Sequence, residues 1–236
     1  DSTLSRRGLA FHGLTSSALM LVGLAFALRL YRLGSVELWF DETASFAVAS
    51  KGYREILDYV RQASAEHPPF YYFALHTWMK FVGSSEFVLR YFSLCLGVLL
   101  IAVLFRFARR EFGNAIGLGV ALVAAASPFM LVYSQEARMY TLVPLLGILA
   151  MELFLRAVRQ GRLRDCVVLA LVVIAGVGVH YYFTIILVGQ GLFLLAQFGQ
   201  ANRRTLGQWL VMVFIPIVIV ALWLVLSPGP MKYFPN

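Results

Sequence analysis

The sequence predicts an all-α membrane protein with about seven transmembrane helices and amphipathic juxtamembrane helices in its first outer loop. Three observations carry that prediction. Of 236 residues, 60% are hydrophobic and only 14% are charged, whereas a soluble domain carries roughly a quarter charged residues. The mean hydropathy is +0.77. Apolar runs of membrane-crossing length recur along the chain, with arginines gathered between them. Such a composition excludes a soluble enzyme, a disordered chain and a fibrous repeat. The net charge of +8 is then a property of membrane-flanking loops. No basic stretch is interleaved with stacking aromatics, so the expected partner is the lipid bilayer and not a nucleic acid.

A helix crosses the hydrocarbon layer with roughly 20 apolar residues. Leu14–Leu30, Phe87–Phe107, Ala115–Tyr133 and Tyr140–Leu155 are the first four candidates. The run Val167–Ala196 would be about 45 Å long as a single helix, too long for one crossing. It contains Gly176, Gly178 and His180-Tyr181-Tyr182, and is divided there into spans over 165–180 and 183–199. Gln208–Leu226 is the seventh, with a kink expected at Pro216. Residues 1–236 therefore read as a single membrane module. The first apolar segment lacks a small-residue cleavage site, so no cleavable signal peptide is expected. Cys95 and Cys166 lie in apolar runs without metal-type spacing and read as small lipid- or core-facing residues.

Direction follows from charge. If Pro68–Phe81 stays on one side, Arg6-Arg7, Arg106/Arg109/Arg110, Arg156/Arg159/Arg162/Arg164 and Arg203-Arg204 share one compartment, which the positive-inside rule makes the cytoplasm. Arg29 and Arg32 end the first span on the far side and want a reason. The opposite face collects the loop 33–85, the turn Ser134–Arg138, the cluster His180–Phe183 and the tail after Leu226. Within that loop Tyr53, Ile56, Leu57 and Val60 repeat at helical spacing opposite Arg54, Glu55, Asp58 and Arg61. The pattern suits a helix lying on the membrane surface, and equally a solvated connector with one greasy side. A second juxtamembrane helix is expected to start at Pro68-Pro69.

On the outer face, each polar group has an ordinary explanation. Asp41-Glu42 suits a helix start, Tyr71, Tyr72, Tyr181 and Tyr182 suit an interfacial belt, and Glu136 and Arg138 suit a wet loop. Together they place carboxylates, an arginine and histidines at one lip of a helical bundle, where charge is costly unless it has a function.

The runs Leu30-Tyr31-Arg32-Leu33-Gly34, Leu38-Trp39-Phe40-Asp41-Glu42, His67-Pro68-Pro69-Phe70-Tyr71-Tyr72, Phe87–Ser93 and Ser134-Gln135-Glu136-Ala137-Arg138-Met139-Tyr140 resemble, in order and spacing, the GT-C glycosyltransferases. The resemblance is to the bacterial branch related to dolichyl-phosphate-mannose–protein mannosyltransferases and lipid A aminoarabinose transferases. It implies an enzyme of the bacterial cytoplasmic membrane, with its site facing outward, that passes a sugar from a polyprenyl-phosphate carrier to an acceptor. Asp41 falls at the family's catalytic carboxylate and is assigned as general base in an inverting single displacement. Glu42 would orient the acceptor or the base. Arg138, with His67 second, would bind the donor phosphate. Tyr71, Tyr72, Glu136, Tyr181 and Tyr182 would line the substrate pocket.

Glu66 and His180 are candidate ligands for a divalent metal ion, since carboxylate plus imidazole suits zinc. Two ligands are fewer than a zinc site needs, and a hydrogen-bonded pair is the alternative. Relatives continue with further spans and an outer soluble domain, whereas this sequence ends after the seventh. The corresponding alternative is a non-catalytic structural subunit working with other membrane subunits. A transporter or seven-helix receptor ranks last, because it would place polar residues near the bilayer midplane.

Overall fold

The computed structural model describes residues 2–63, 67–196 and isolated positions between 207 and 222. All the secondary structure in them is helical: α1 Ser2–Leu30, α2 Phe40–Ala49, α3 Tyr53–Ala63, α4 Phe70–Val82, α5 Glu86–Phe112, α6 Asn114–Ala126, α7 Pro128–Ser134, α8 Leu142–Gln160, α9 Leu163–Val179, a 3₁₀ turn Tyr181–Phe183, and α10 Thr184–Ala196. Two compact units emerge, one from residues 1–42 and 84–141, the other from 43–83 and 142–236.

In the first unit, α5 is capped by Ser85, whose hydroxyl accepts from the Val88 amide at 3.3 Å, and it carries Glu86 in its first turn. It ends at Gly113, whose φ of 95° is open to glycine and strained for other residues. Gly117 then lets α6 fold back on α5, since a Cβ there would lie 2.9 Å from the Arg109 backbone. Ala25, Ile101, Ala121, Ala124 and Ala125 pack α1, α5 and α6 together, small side chains that allow close helix approach.

The expected span Ala115–Tyr133 is not one straight helix. It breaks at Ser127-Pro128 and bends by 61°. Pro128 has no amide to give the Ala124 carbonyl, so the break leaves carbonyls without a helical partner. Arg29 supplies the missing donors. Its side chain is wholly buried and donates to the Ala124 and Ala125 carbonyls, to its own helix at Ala25 (each 3.2 Å), and to Ser134 Oγ at 3.0 Å. That is the reason this arginine sits at the end of an apolar run. Gly97 of α5 faces the same knot, where a Cβ would collide with Ser134 Oγ. Gly97→Ala should therefore cost about 1–3 kcal/mol by overpacking, read as a lower midpoint of thermal unfolding in detergent. Gly23→Ala in α1 meets nothing within 4 Å. It should be neutral or stabilising by up to about 1 kcal/mol, and an equal loss in both variants would remove the packing explanation.

In the second unit, α3 and α4 form as expected, with α4 starting at Phe70 directly after the two prolines. The apolar stripe of α3 is turned inward in part, with Ile56 and Val60 buried, while Tyr53 and Tyr59 remain exposed. His76 Nδ1 lies 2.7 Å from the Ala49 carbonyl and closes the end of α2. The α8–α9 hairpin is pinned by Arg156 and buried Asp165 at 2.9 Å. Its core is Phe154, Leu169, Val173, Val177, Phe183 and Leu187 with neighbouring small residues. The break expected within 167–196, between the spans 165–180 and 183–199, falls at His180, whose backbone is extended. Helix α9 runs through Gly176 and Gly178, which make room for the rings of Phe183 and Phe70. Cys166 is buried and Cys95 half-buried.

One described helix, α5, is long and apolar enough to cross a membrane alone, and α6–α7 is a second if the bent pair is one span. The stretches Ser16–Leu30 and Tyr181–Ala196 are apolar but shorter. Seven crossings thus rest on sequence pattern and not on helix length. Breaks at Pro128 and His180 divide two of the apolar runs, and Glu152 and Arg156 interrupt a third. The seventh expected span, 208–226, and its kink at Pro216 lie largely outside the described residues.

Candidate active site

The first unit gathers four of the sequence-selected residues. Helix α2 opens with Asp41 and Glu42 in its first turn, where carboxylates meet the positive end of the helix. Glu42 also reaches back to the Trp39 amide at 3.3 Å, the reciprocal half of a capping box.

Glu42 is fully buried, and both its oxygens are engaged. Oε1 accepts from Arg90 Nε at 2.9 Å and from the Ala137 amide at 2.8 Å. Oε2 accepts from the second arm of Arg90 at 2.6 Å. This is the two-pronged guanidinium–carboxylate geometry that is both strong and directional. Arg90 donates further to the carbonyls of Leu33, Val36 and Glu37, holding the segment after α1 against α5. Glu42 therefore faces Arg90 and the 135–138 turn.

The turn after α7 is tied down residue by residue. Gln135 donates to the carbonyls of Arg29 at 2.9 Å and Tyr31 at 2.8 Å, closing the end of α1. The Ala137 amide is held by Glu42, and Ser93 Oγ donates to the Arg138 carbonyl at 3.3 Å. Arg138 is 6% exposed. One arm donates to the Asp41 carbonyl at 3.3 Å, and the other stands 3.7 Å from Asp41 Oδ2. The Tyr140 ring lies 5.7 Å from its guanidinium, within cation–π range. Asp41 keeps a third of its side chain exposed.

Glu136 points a buried Oε2 where no donor meets it. Burial first, then the neighbouring charge of Glu42 and more weakly that of Asp41, push its carboxyl above the ordinary glutamate range, while Arg138 and Arg90 pull the other way.

The remaining selected residues belong to the second unit. His67 is half-buried, with its ring edge-on to that of His180 at 5.3 Å. His180 Nδ1 accepts from the Tyr182 amide at 3.1 Å, which leaves Nε2 as the protonated nitrogen of the neutral ring. Tyr71 is 0% and Tyr72 7% exposed, both buried within this unit. Tyr181 is half-buried and Tyr182 is open. Glu66 lies outside the described residues. Among the described residues no three His, Cys, Asp or Glu side chains are grouped to hold a metal.

Arg90 is the residue that sequence reasoning passed over. Its signal was present, since a lone arginine one turn into an apolar span needs a buried partner.

A family model described as dolichyl-phosphate-mannose-protein mannosyltransferase matches residues 66–227. The matched range takes in Arg90 and the whole 135–138 turn and begins after Asp41. No curated protein matches the chain.

Proposed function

The chain belongs to the dolichyl-phosphate-mannose-protein mannosyltransferase family, and from that premise we propose that it moves a sugar from a polyprenyl-phosphate carrier to a hydroxyl acceptor at the outer face of a bacterial cytoplasmic membrane. The observation carrying this reading is the pairing of half-open Asp41 with buried Arg138 at 3.7 Å. That separation exceeds a normal hydrogen bond, and it sets a partly exposed carboxylate beside a buried cation, the two charges that an attacking hydroxyl and a departing phosphate require.

In this reading Asp41 takes the proton of the acceptor hydroxyl as that oxygen attacks the anomeric carbon. The bond from that carbon to the carrier phosphate breaks, and its electron pair leaves with the phosphate. Arg138, itself buried, stabilises the charge that develops there. One displacement inverts the sugar. Glu42 and Arg90 touch no reactant; they fix the first turn of α2 against the turn bearing Arg138. The arginine distribution supports the outward orientation, and the apolar runs support seven crossings.

The test is transfer of labelled sugar by the chain reconstituted in liposomes with polyprenyl-phosphate mannose. Arg138→Ala should lower the rate about 10²–10³-fold, as for loss of a group that meets developing charge. Unchanged kinetics would reject its phosphate role. No transfer by the unaltered protein from any polyprenyl-phosphate sugar would overturn the reading.

A further inference from the structure

The turn between α7 and α8 commits nearly all its polar groups to neighbours: Gln135 to the end of α1, the Ala137 amide to Glu42, Arg138 to Asp41 and Ser93. Glu136 Oε2, like Thr141 Oγ1 at the end of the turn, is buried and meets no partner, and of the two it is the one that carries a charge when ionised. A carboxylate oxygen in that position is costly unless it carries a proton or receives a donor from a ligand. The surrounding charges decide which. Asp41 and Glu42 face it from α2, Arg90 from α5, and Arg138 from its own turn. Arg90 is bound to Glu42 at 2.6 Å, and Arg138 is paired with Asp41. Two cations thus balance two carboxylates, and a third ionised carboxylate would leave the site negative before an anionic ligand arrived.

We propose that Glu136 is held as the neutral acid and that its carboxyl O–H donates a hydrogen bond to a phosphate oxygen of the lipid carrier, beside Arg138. This rests on the transferase reading above and adds a donor-recognition residue to it. No proton is transferred in this role: the O–H bond of Glu136 stays intact, and the acceptor's proton goes to Asp41. A neutral acid facing an anionic oxygen makes a strong, charge-assisted hydrogen bond, where a carboxylate would repel it. Burial and like charge thereby divide the acids by task, with Asp41 as base and Glu136 as donor.

The test uses the whole chain in nanodiscs, unaltered and as Glu136→Gln and Glu136→Ala, with sugar-free polyprenyl phosphate as the probe. Infrared titration should show a protonated-carboxyl band at neutral pH that is missing from Glu136→Gln. Glu136→Gln keeps a hydrogen-bond donor and should bind the probe within about threefold of the unaltered chain, while Glu136→Ala should bind about tenfold or more weakly. Equal weakening in the two variants, or no band that the glutamine removes, overturns the proposal. A chain that shows the band yet binds no polyprenyl phosphate overturns the transferase reading itself, and the phosphate contact with it.

Discussion

Asp41→Asn is expected to reduce sugar transfer by about 10²–10⁴-fold, the usual contribution of a positioned general base, while the protein remains folded. The substitution keeps the size of the side chain and removes its ability to take a proton. Its structural cost should be small, because Asp41 is one-third exposed and its contact with Arg138 is long. The pair joins a buried arginine to a partly exposed aspartate across 3.7 Å, and so long a contact should contribute about 1 kcal/mol. The backbone carbonyl of Asp41 still accepts from Arg138 at 3.3 Å, so the arginine is not released. Two measurements together decide the matter: the initial transfer rate, and the thermal unfolding midpoint in detergent. A variant that unfolds like the unaltered protein and transfers sugar at a comparable rate would remove Asp41 as the base.

Glu42→Ala should give the largest loss of stability, about 3–5 kcal/mol, because it leaves the charge of Arg90 buried without its counter-charge. The Ala137 and Trp39 amides lose their acceptor in the same step. Activity should fall as well, through displacement of the 135–138 turn and not through loss of a reacting group. Pairing Glu42→Leu with Arg90→Met separates these effects. The double variant should recover part of the stability, since no buried charge is left unpaired, while the carbonyls of Leu33, Val36 and Glu37 still lose their donor. Activity should stay low, because the Ala137 amide is still unheld. Denaturation in detergent gives the stability, and a loss below about 1 kcal/mol in Glu42→Ala, the range of an exposed pair, would show that Arg90 is held adequately by the carbonyls of Leu33, Val36 and Glu37 alone.

Helix class was legible from composition, and so were the starts of α3 and α4, because periodicity and Pro68-Pro69 are local signals. The separation of α9 from α10 was legible from the polar-aromatic cluster. The site was legible where residue type alone predicts a pairing: Asp41 and Arg138 are ion-paired across 97 positions of sequence. The remainder depended on tertiary context. Ser127-Pro128 read as part of one span, because a proline in an apolar run looks tolerable until a neighbour is found to supply the lost donors, and here that neighbour is Arg29, nearly a hundred residues away. Gly176 and Gly178 lie inside the expected span, but nothing local says that they are spaces for aromatic rings. That Tyr71 is fully buried was not legible either, because burial is set by elements distant in sequence. Glu42 and Arg90 each stood in a quoted motif, but nothing in either motif says that one holds the other.

The way the 135–138 segment is anchored has a practical side. Surface connections ordinarily absorb extra residues well, which makes them the usual places to thread a reporter or an epitope. Here Gln135, Ala137 and Arg138 answer to three different helices at once. A single added residue would put every later position out of step with its mooring, so this short connector has about as little freedom to change length as the middle of a helix.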